Sequence, residues 1–90
     1  MELRVLKYFL AVAREENITK AANLLNITQP TLSRQMMQLE EELGIKLFRR
    51  GRHNVLLTEE GMLLRRRAQE IVDLTEKTEK ELTHGSETVS

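Results

Sequence analysis

Apolar residues recur at helical spacing near the start of the chain. Leu6, Leu10 and Ala13 follow one another at intervals of four and three residues, with Leu3 about one turn earlier. This pattern predicts a helix from Leu3 to about Glu15 with an apolar stripe that faces a core.

The same helix has a second apolar stripe on its opposite side. Its members are Val5, Tyr8 and Val12. Since a helix on the surface of a monomer needs only one apolar stripe, two stripes indicate burial on both sides. Two interpretations stay open, a central helix in a small bundle or a surface that contacts a partner.

A second and shorter helix is predicted from Thr19 to Leu25. Asn17 and Thr19 are both suitable N-caps for it, because their side-chain oxygens can accept a hydrogen bond from a backbone N–H of the first turn. Leu24 and Leu25 are predicted to point into the core.

A third helix is predicted from Gln29 to about Leu43. The turn before it is Asn26-Ile27-Thr28, in which Asn tolerates the left-handed conformation and Thr is a good N-cap. Pro30 falls in the first turn, where its missing N–H would be unpaired in any case, and Gly44 suits the C-cap.

The two sides of this third helix differ in composition. The side predicted to face the core contains Leu32, Met36, Leu39 and Leu43. The opposite side contains Pro30, Arg34, Met37 and Glu41. The N-terminal half is rich in hydrogen-bond donors, whereas the acidic residues are confined to the C-terminal half and are taken as helix-surface acids.

A β-hairpin is predicted between residues 45 and 57. Two short apolar segments, Leu47-Phe48 and Val55-Leu56-Leu57, flank a polar stretch that contains Gly51. Three arginines and one histidine give this hairpin a basic tip: Arg49, Arg50, Arg52 and His53.

The last predicted helix is long for a chain of 90 residues. Thr58 caps it, Glu59 and Glu60 occupy its first turn, where the helix dipole favours acids, and it runs to about His84. Side chains at intervals of four and three residues form a heptad-like seam: Leu64, Ala68, Ile71, Thr75, Thr78 and Leu82. The seam either pairs with another chain or belongs to a solvated helix end.

The charges are balanced in number but segregated along the chain. The formal net charge is zero, with 14 basic and 14 acidic residues. Residues 1–44 have a net charge of −1, residues 45–67 of +5 and residues 68–90 of −4. The basic block coincides with the predicted hairpin and the start of the last helix, so a neutral total does not argue against a polyanionic partner.

Composition excludes several other classes of protein. Without cysteine there is no disulfide or thiolate metal site. The histidines, His53 and His84, have no partner at ligand spacing, so we predict neither a metal nor a cofactor. Ser33 has no recognisable base, and we predict that the chain is not an enzyme. No apolar run reaches about 18 residues and no signal peptide opens the chain, so we expect a soluble, cytoplasmic protein.

Two short helices joined by a three-residue turn form a helix-turn-helix pattern, which predicts binding to double-stranded DNA. The N-terminus of the third helix would enter the major groove, where Gln29 and Ser33 can contact base edges and Arg34 can pair with guanine or a phosphate. Three arginines of the hairpin would lie beside the backbone or a minor groove: Arg49, Arg50 and Arg52. The alternative is a winged-helix module for protein interaction or dimerisation, although neither task requires the basic tip.

Six short motifs run through nearly the whole chain, from residue 1 to residue 84. They are LKYFLAV at 6–12, NITKAA at 17–22, TQPTLSRQ at 28–35, LEEELG at 39–44, LFRR at 47–50 and LTEEG at 57–61. In this order and at this spacing they resemble the N-terminal DNA-binding region of LysR-type transcriptional regulators.

The resemblance implies a mainly α, winged helix-turn-helix fold with a short β-hairpin wing and a long C-terminal linker helix. Contacts to DNA carry over to six residues: Gln29, Pro30, Thr31, Ser33, Arg34 and Arg50. This chain departs from the family's pattern at two positions. Basic residues are common in the family where His53 stands, and polar or basic residues are common where Met37 stands. Met37 either touches a thymine methyl, packs against the protein or contacts nothing.

The resemblance also implies a homodimer, or a tetramer in a full-length protein. The linker helix would pair with its copy and touch the first helix of the partner. The predicted dimerisation residues are therefore the second stripe of the first helix and the seam: Val5, Tyr8, Val12, Leu64, Ala68, Ile71, Thr75, Thr78 and Leu82.

The resemblance further divides the chain into three parts. We expect a winged helix-turn-helix domain over residues 1–58, a linker helix over 59–84 and a flexible tail or hinge over 85–90. The family's larger inducer-binding domain has no room in 90 residues, so we expect this chain to be the DNA-binding part of a longer regulator.

Overall fold

A computed structural model of the chain describes residues 1–84 and contains four helices and one two-stranded antiparallel sheet within that range. The elements are α1 (Leu3–Glu15), α2 (Ile18–Leu25), α3 (Gln29–Leu43), β1 (Phe48–Arg50), β2 (Val55–Leu57) and α4 (Glu59–Thr83). This architecture confirms the predicted mainly α, winged helix-turn-helix fold. The predicted tail at 85–90 lies outside the described residues.

The helix boundaries follow from capping residues close to each end. Asn17 accepts a hydrogen bond from the backbone N–H of Lys20 at 2.8 Å, so Asn17 and not Thr19 caps α2. Asn26 adopts the left-handed conformation with φ of 59° and ends the helix. Thr28 then caps α3 by accepting from Thr31 N at 3.3 Å, with proline in the first turn.

The core is formed by side chains from all four helices and from the hairpin segment. Its largest fully buried side chains are Phe9, Val12, Leu32, Met36 and Leu47. The Phe9 ring also packs against Phe48, with ring centroids 5.3 Å apart. These contacts attach the hairpin to the helical core.

Two leucines predicted to face the core do not do so. Leu24 is 58% exposed and Leu43 is 38% exposed, whereas Leu25 packs partly against the core. The buried face of α2 is centred on Ile18 and Leu25 and includes Ala21 and Ala22, and Leu24 lies outside it because it points about 100° away from Leu25. Leu43 is the last residue of α3.

The second stripe of α1 is split by the packing. Val12 is fully buried in the core of the monomer, while Val5 and Tyr8 are half-buried and pack against that core. The assignment of Val12 to a partner surface was therefore wrong, because the protein's own helices cover it.

The first half of α4 belongs to the core as well. Gly61, Ala68 and Val72 are its buried residues, and α1 is the element that it packs against most extensively. Ala68, predicted to lie in a seam with a partner, is fully buried within this chain. Beyond Val72 the helix continues for eleven residues to Thr83 with no further buried side chain.

None of the helices within residues 1–84 is both long and apolar enough to cross a membrane.

Candidate nucleic-acid interface

The N-terminal half of α3 presents a polar surface to solvent. Gln29, Pro30 and Arg34 are exposed, and Thr31 and Ser33 are half-buried. The side chain of Thr28 accepts a hydrogen bond from one backbone N–H group of the first turn. The other N–H groups of this turn have no partner within the helix, and they form the positive end of the helix dipole. This combination suits a negatively charged ligand that offers hydrogen-bond acceptors.

Two side-chain hydrogen bonds order this surface. Gln29 Nε2 donates to Ser33 Oγ at 2.9 Å, one helical turn later. The hydroxyl oxygens of Thr28 and Thr31 lie 2.7 Å apart. The first of these bonds joins two of the side chains that are predicted to contact base edges.

The hairpin, or wing, is attached to the helices by backbone groups. Val55 N donates to the carbonyl oxygen of Glu16 at 3.0 Å. Glu16 has a left-handed φ of 54° and ends α1, so the turn between α1 and α2 also supports β2. This link depends on the left-handed conformation of Glu16, which the sequence did not indicate.

Glu40 fixes the other strand of the wing. One of its carboxylate oxygens accepts hydrogen bonds from Leu47 N at 2.8 Å and from Phe48 N at 3.3 Å. The prediction that Glu40 is only a helix-surface acid was therefore wrong. Its carboxylate is half-buried and ties the base of the wing to α3.

Thr58 and Gly61 close the base of the wing against α4. Thr58 donates its hydroxyl to the carbonyl oxygen of Lys46 at 2.7 Å and accepts from Gly61 N at 3.0 Å. A Cβ added at Gly61 would lie well inside van der Waals contact of the Leu47 carbonyl oxygen. Position 61 thus requires glycine because backbone from the wing approaches the first turn of α4, a contact that local sequence patterns do not indicate.

The wing arginines point to different sides. Arg49 and Arg50 are successive residues of β1, paired with Leu56 and Val55, and successive strand residues face opposite sides of a sheet. Arg52 is in the loop, which Gly51 N closes by donating to Asn54 O at 2.8 Å. All three arginines are exposed.

An open cleft brings the predicted contact residues of the wing and α3 together. The α3 side supplies Gln29, the wing supplies Arg50, Arg52 and His53, and the N-terminus of α2 supplies Thr19. Arg49 does not line this cleft and lies on the other side of the strand. Of the three predicted wing arginines, two therefore face the helix-turn-helix and one does not.

The cations of this surface differ from others in the chain. Arg4, Arg14 and Arg67 form ion pairs with neighbouring glutamates at 2.9–3.7 Å. Within residues 1–84, neither Arg34 nor the wing arginines have such a partner. Positive charge on the α3 and wing surface is therefore not neutralised within the described part of the molecule. That part also contains no group of three His, Asp or Glu side chains placed to hold a metal ion.

One side of α4 presents a different kind of surface. Five large apolar side chains of α4 are between 40% and 79% exposed, and all but Met62 share this side: Leu63, Ile71, Leu74 and Leu82. Of the predicted seam, Ile71, Thr78 and Leu82 are exposed, Leu64 and Thr75 are half-buried, and Ala68 is buried. The accessible apolar stripe is thus rotated from the predicted seam and includes Leu63 and Leu74, which the seam omitted.

Comparison with known proteins identifies relatives for most of the chain. Residues 3–62 match the sequence model of the bacterial regulatory helix-turn-helix protein, lysR family. The chain is similar to the HTH-type transcriptional regulator BudR of Klebsiella aerogenes, with 59% identity over 61 residues that cover 68% of this chain and 43% of BudR. The chain therefore spans less than half the length of that relative.

Solved structures resemble the fold closely. The crystal structure of BenM_DBD in complex with catB site 1 DNA matches with a TM-score of 0.93 and 41% identity, covering 100% of this chain and 97% of that chain. The crystal structure of a CbnR_DBD–DNA complex matches with a TM-score of 0.90 and 36% identity, covering 96% of this chain and 99% of that chain.

Proposed function

The chain belongs to the LysR family of bacterial regulatory helix-turn-helix proteins, and we propose that it binds double-stranded DNA sequence-selectively as the DNA-binding part of a transcription regulator. The observation that supports this most directly is one exposed surface on which the polar start of α3 adjoins Arg50 and Arg52 of the wing. Relatives of similar fold were crystallised as DNA complexes.

In the proposed complex, the N-terminal half of α3 enters the major groove. Gln29 and Ser33 offer hydrogen bonds to base edges, and Arg34 pairs with a guanine or a phosphate. Pro30 and Thr31 lie on the same first turn and come close to the groove walls. The acidic last turn of α3 stays outside the groove, because phosphates would repel Glu41 and Glu42.

The wing contributes charge rather than base selectivity in this proposal. Arg50 and Arg52 lie beside the start of α3 and contact the phosphate backbone or the adjacent minor groove. Arg49 faces away from the cleft and reaches DNA only at the edge of the complex. We therefore expect Arg50 to matter more than Arg49.

A homodimer is part of the proposal. The accessible stripe of α4 consists of four large apolar side chains that this chain does not cover, and pairing with a second copy would bury them. We retain Ile71, Thr75, Thr78 and Leu82 from the predicted dimerisation residues, together with the half-buried Val5, Tyr8 and Leu64. Two recognition helices related by a two-fold axis would then contact two DNA half-sites.

The proposed role is binding and not catalysis. Ser33 Oγ accepts its hydrogen bond from the Gln29 amide, which is not a general base. Regulation of transcription in bacteria takes place in the cytoplasm, where the chromosome lies, and we propose that location for the chain.

Selection of bound sequences from a random duplex pool tests the proposal. We expect a preferred site and a dissociation constant at least about a thousandfold lower for it than for a scrambled duplex. Equal affinity for the selected and scrambled duplexes would contradict the proposal that binding is sequence-selective. Absence of any salt-dependent binding would instead favour the alternative module for protein interaction.

A further inference from the structure

One large apolar side chain lies within the polar face of α3. Met37 is 53% exposed and occurs seven residues after Pro30, which places it within about 20° of Pro30 around the helix and about 10 Å further along it. In projection it falls between Ser33 and Arg34, which lie about 60° and 40° to either side of Pro30. Met37 is thus near the centre of the face that carries the proposed base contacts.

The surroundings of Met37 also place it between the two DNA-contacting elements. It lines a concavity between α3 and the wing whose other members include Glu40, Phe48 and Arg50. Arg50 also lines the cleft that contains Gln29, so Met37 lies beside the wing arginine that adjoins the start of α3.

We propose that Met37 is a specificity-determining residue that contacts the C5-methyl group of a thymine in the major groove. This inference rests on the proposed function and adds a specific base preference to it. The thioether has no N–H or O–H and cannot donate a hydrogen bond to a phosphate or a base edge. The thymine methyl is the apolar group among the features that the bases present in the major groove, and it is a suitable partner for an apolar side chain.

The position of the contact within the site follows from the helix geometry. The distance of about 10 Å from Pro30 to Met37 along α3 limits the separation of their contacts along the duplex to about three base-pair steps of 3.4 Å. Glu41 follows Met37 by one further turn on the same face, and its negative charge opposes closer approach of the phosphates. The thymine should therefore lie within about three base pairs of the base pair beneath Pro30 in each half-site.

The test removes single methyl groups from DNA. The site selected from the random pool is resynthesised with each thymine replaced in turn by deoxyuridine, which changes nothing else in the duplex. For the unsubstituted protein we expect one thymine per half-site at which this change weakens binding about two- to fivefold, the effect of one buried methyl group. Met37→Ala should bind both duplexes equally, whereas Met37→Leu should keep most of the difference.

Met62→Ala is the matched control, because Met62 has the same side chain and is 52% exposed in the first turn of α4. It should keep the full sensitivity to deoxyuridine. The inference is overturned if no thymine responds, or if Met37→Ala retains the penalty, while sequence-selective binding itself persists. Failure of the unsubstituted protein to bind any duplex selectively would instead overturn the proposed function, and this inference with it.

Discussion

The α3 and wing surface and the exposed stripe of α4 are both left uncovered by this chain, but they differ in chemistry. The first carries Arg34, Arg50 and Arg52 without an ion pair in the described part of the chain. The second carries leucines and an isoleucine at up to 79% exposure. Unpaired cations attract a polyanion, whereas an exposed apolar stripe favours another protein surface. The difference supports the proposal of two partners of different kinds, DNA on one surface and a second copy on the other.

Charge segregation supports the same division. The net charge of +5 over residues 45–67 includes the wing, and the net charge of −4 over residues 68–90 includes the second half of α4. An acidic helix would be repelled by phosphates, so α4 should project away from DNA beyond Val72. Substitutions on each surface should therefore affect one kind of binding and leave the other unchanged.

The largest expected effect is on the stability of the proposed dimer, when a charge is placed in the apolar stripe of α4. Leu74 is 62% exposed, and Leu74→Lys would place two charges in a symmetric dimer in place of two buried leucines, a loss of roughly 3–6 kcal/mol. Sedimentation equilibrium should show a dimer dissociation constant that is about a hundredfold or more higher. Leu24→Lys, at 58% exposure on α2, should leave it unchanged. An equal effect of both substitutions would argue against the stripe as the dimer surface.

The second-largest effect is expected on the free energy of unfolding, from the contact between the base of the wing and the first turn of α4. Gly61→Ala would force a methyl group against the Leu47 carbonyl oxygen, and we expect the free energy of unfolding to fall by about 3 kcal/mol in urea titrations. Gly44→Ala is the control, because Gly44 has open space around it but a φ of +70°, and it should cost about 1 kcal/mol for backbone strain alone. A smaller loss for Gly61 than for Gly44 would contradict this account of the wing base.

A moderate effect is expected at Glu40. Glu40→Gln removes the negative charge that accepts from two backbone N–H groups of the wing base, and the unfolding free energy should fall by about 1–2 kcal/mol. The exposed neighbour Glu41 makes no side-chain hydrogen bond or ion pair within residues 1–84, and Glu41→Gln should change stability by less than about 0.5 kcal/mol. If the two substitutions had the same effect, Glu40 would not hold the wing.

The smallest effect is a coupling between Gln29 and Ser33. Because the two side chains share a hydrogen bond of 2.9 Å, the losses of DNA affinity from Gln29→Ala and Ser33→Ala should not add. We expect a coupling energy of about 0.5–1 kcal/mol in a double-mutant cycle measured by fluorescence anisotropy. Simple additivity would show that the two residues contact DNA independently.

Local signals predicted the helix-turn-helix well. Thr28, Pro30 and Gly44 mark both ends of α3, and the structure places those ends at Gln29 and Leu43 as predicted. Capping and glycine signals act over a few residues, so they can be recognised without knowledge of the tertiary packing.

Residues whose roles depend on distant parts of the chain were harder to predict. Helical periodicity shows which residues share a face but not which neighbour covers that face, and this explains the errors at Val12 and Ala68. The roles of Glu40 and Gly61 depend on the Leu47 segment, seven and fourteen residues away, which approaches them only after the hairpin has packed. The DNA-contacting roles of individual side chains stay predictions.

The measurement that tests the central claim most directly is the salt dependence of DNA affinity. For the unsubstituted protein and for a variant with both Arg34→Ala and Arg50→Ala, the dissociation constant for the selected duplex is measured over a range of salt concentrations. We predict that the double variant binds at least about tenfold more weakly and that its salt slope is lower by about one or more. Arg4→Ala removes the same charge from an arginine already paired with Glu2 and should have little effect. Unchanged affinity and slope in the double variant would contradict the assignment of DNA to the α3 and wing surface.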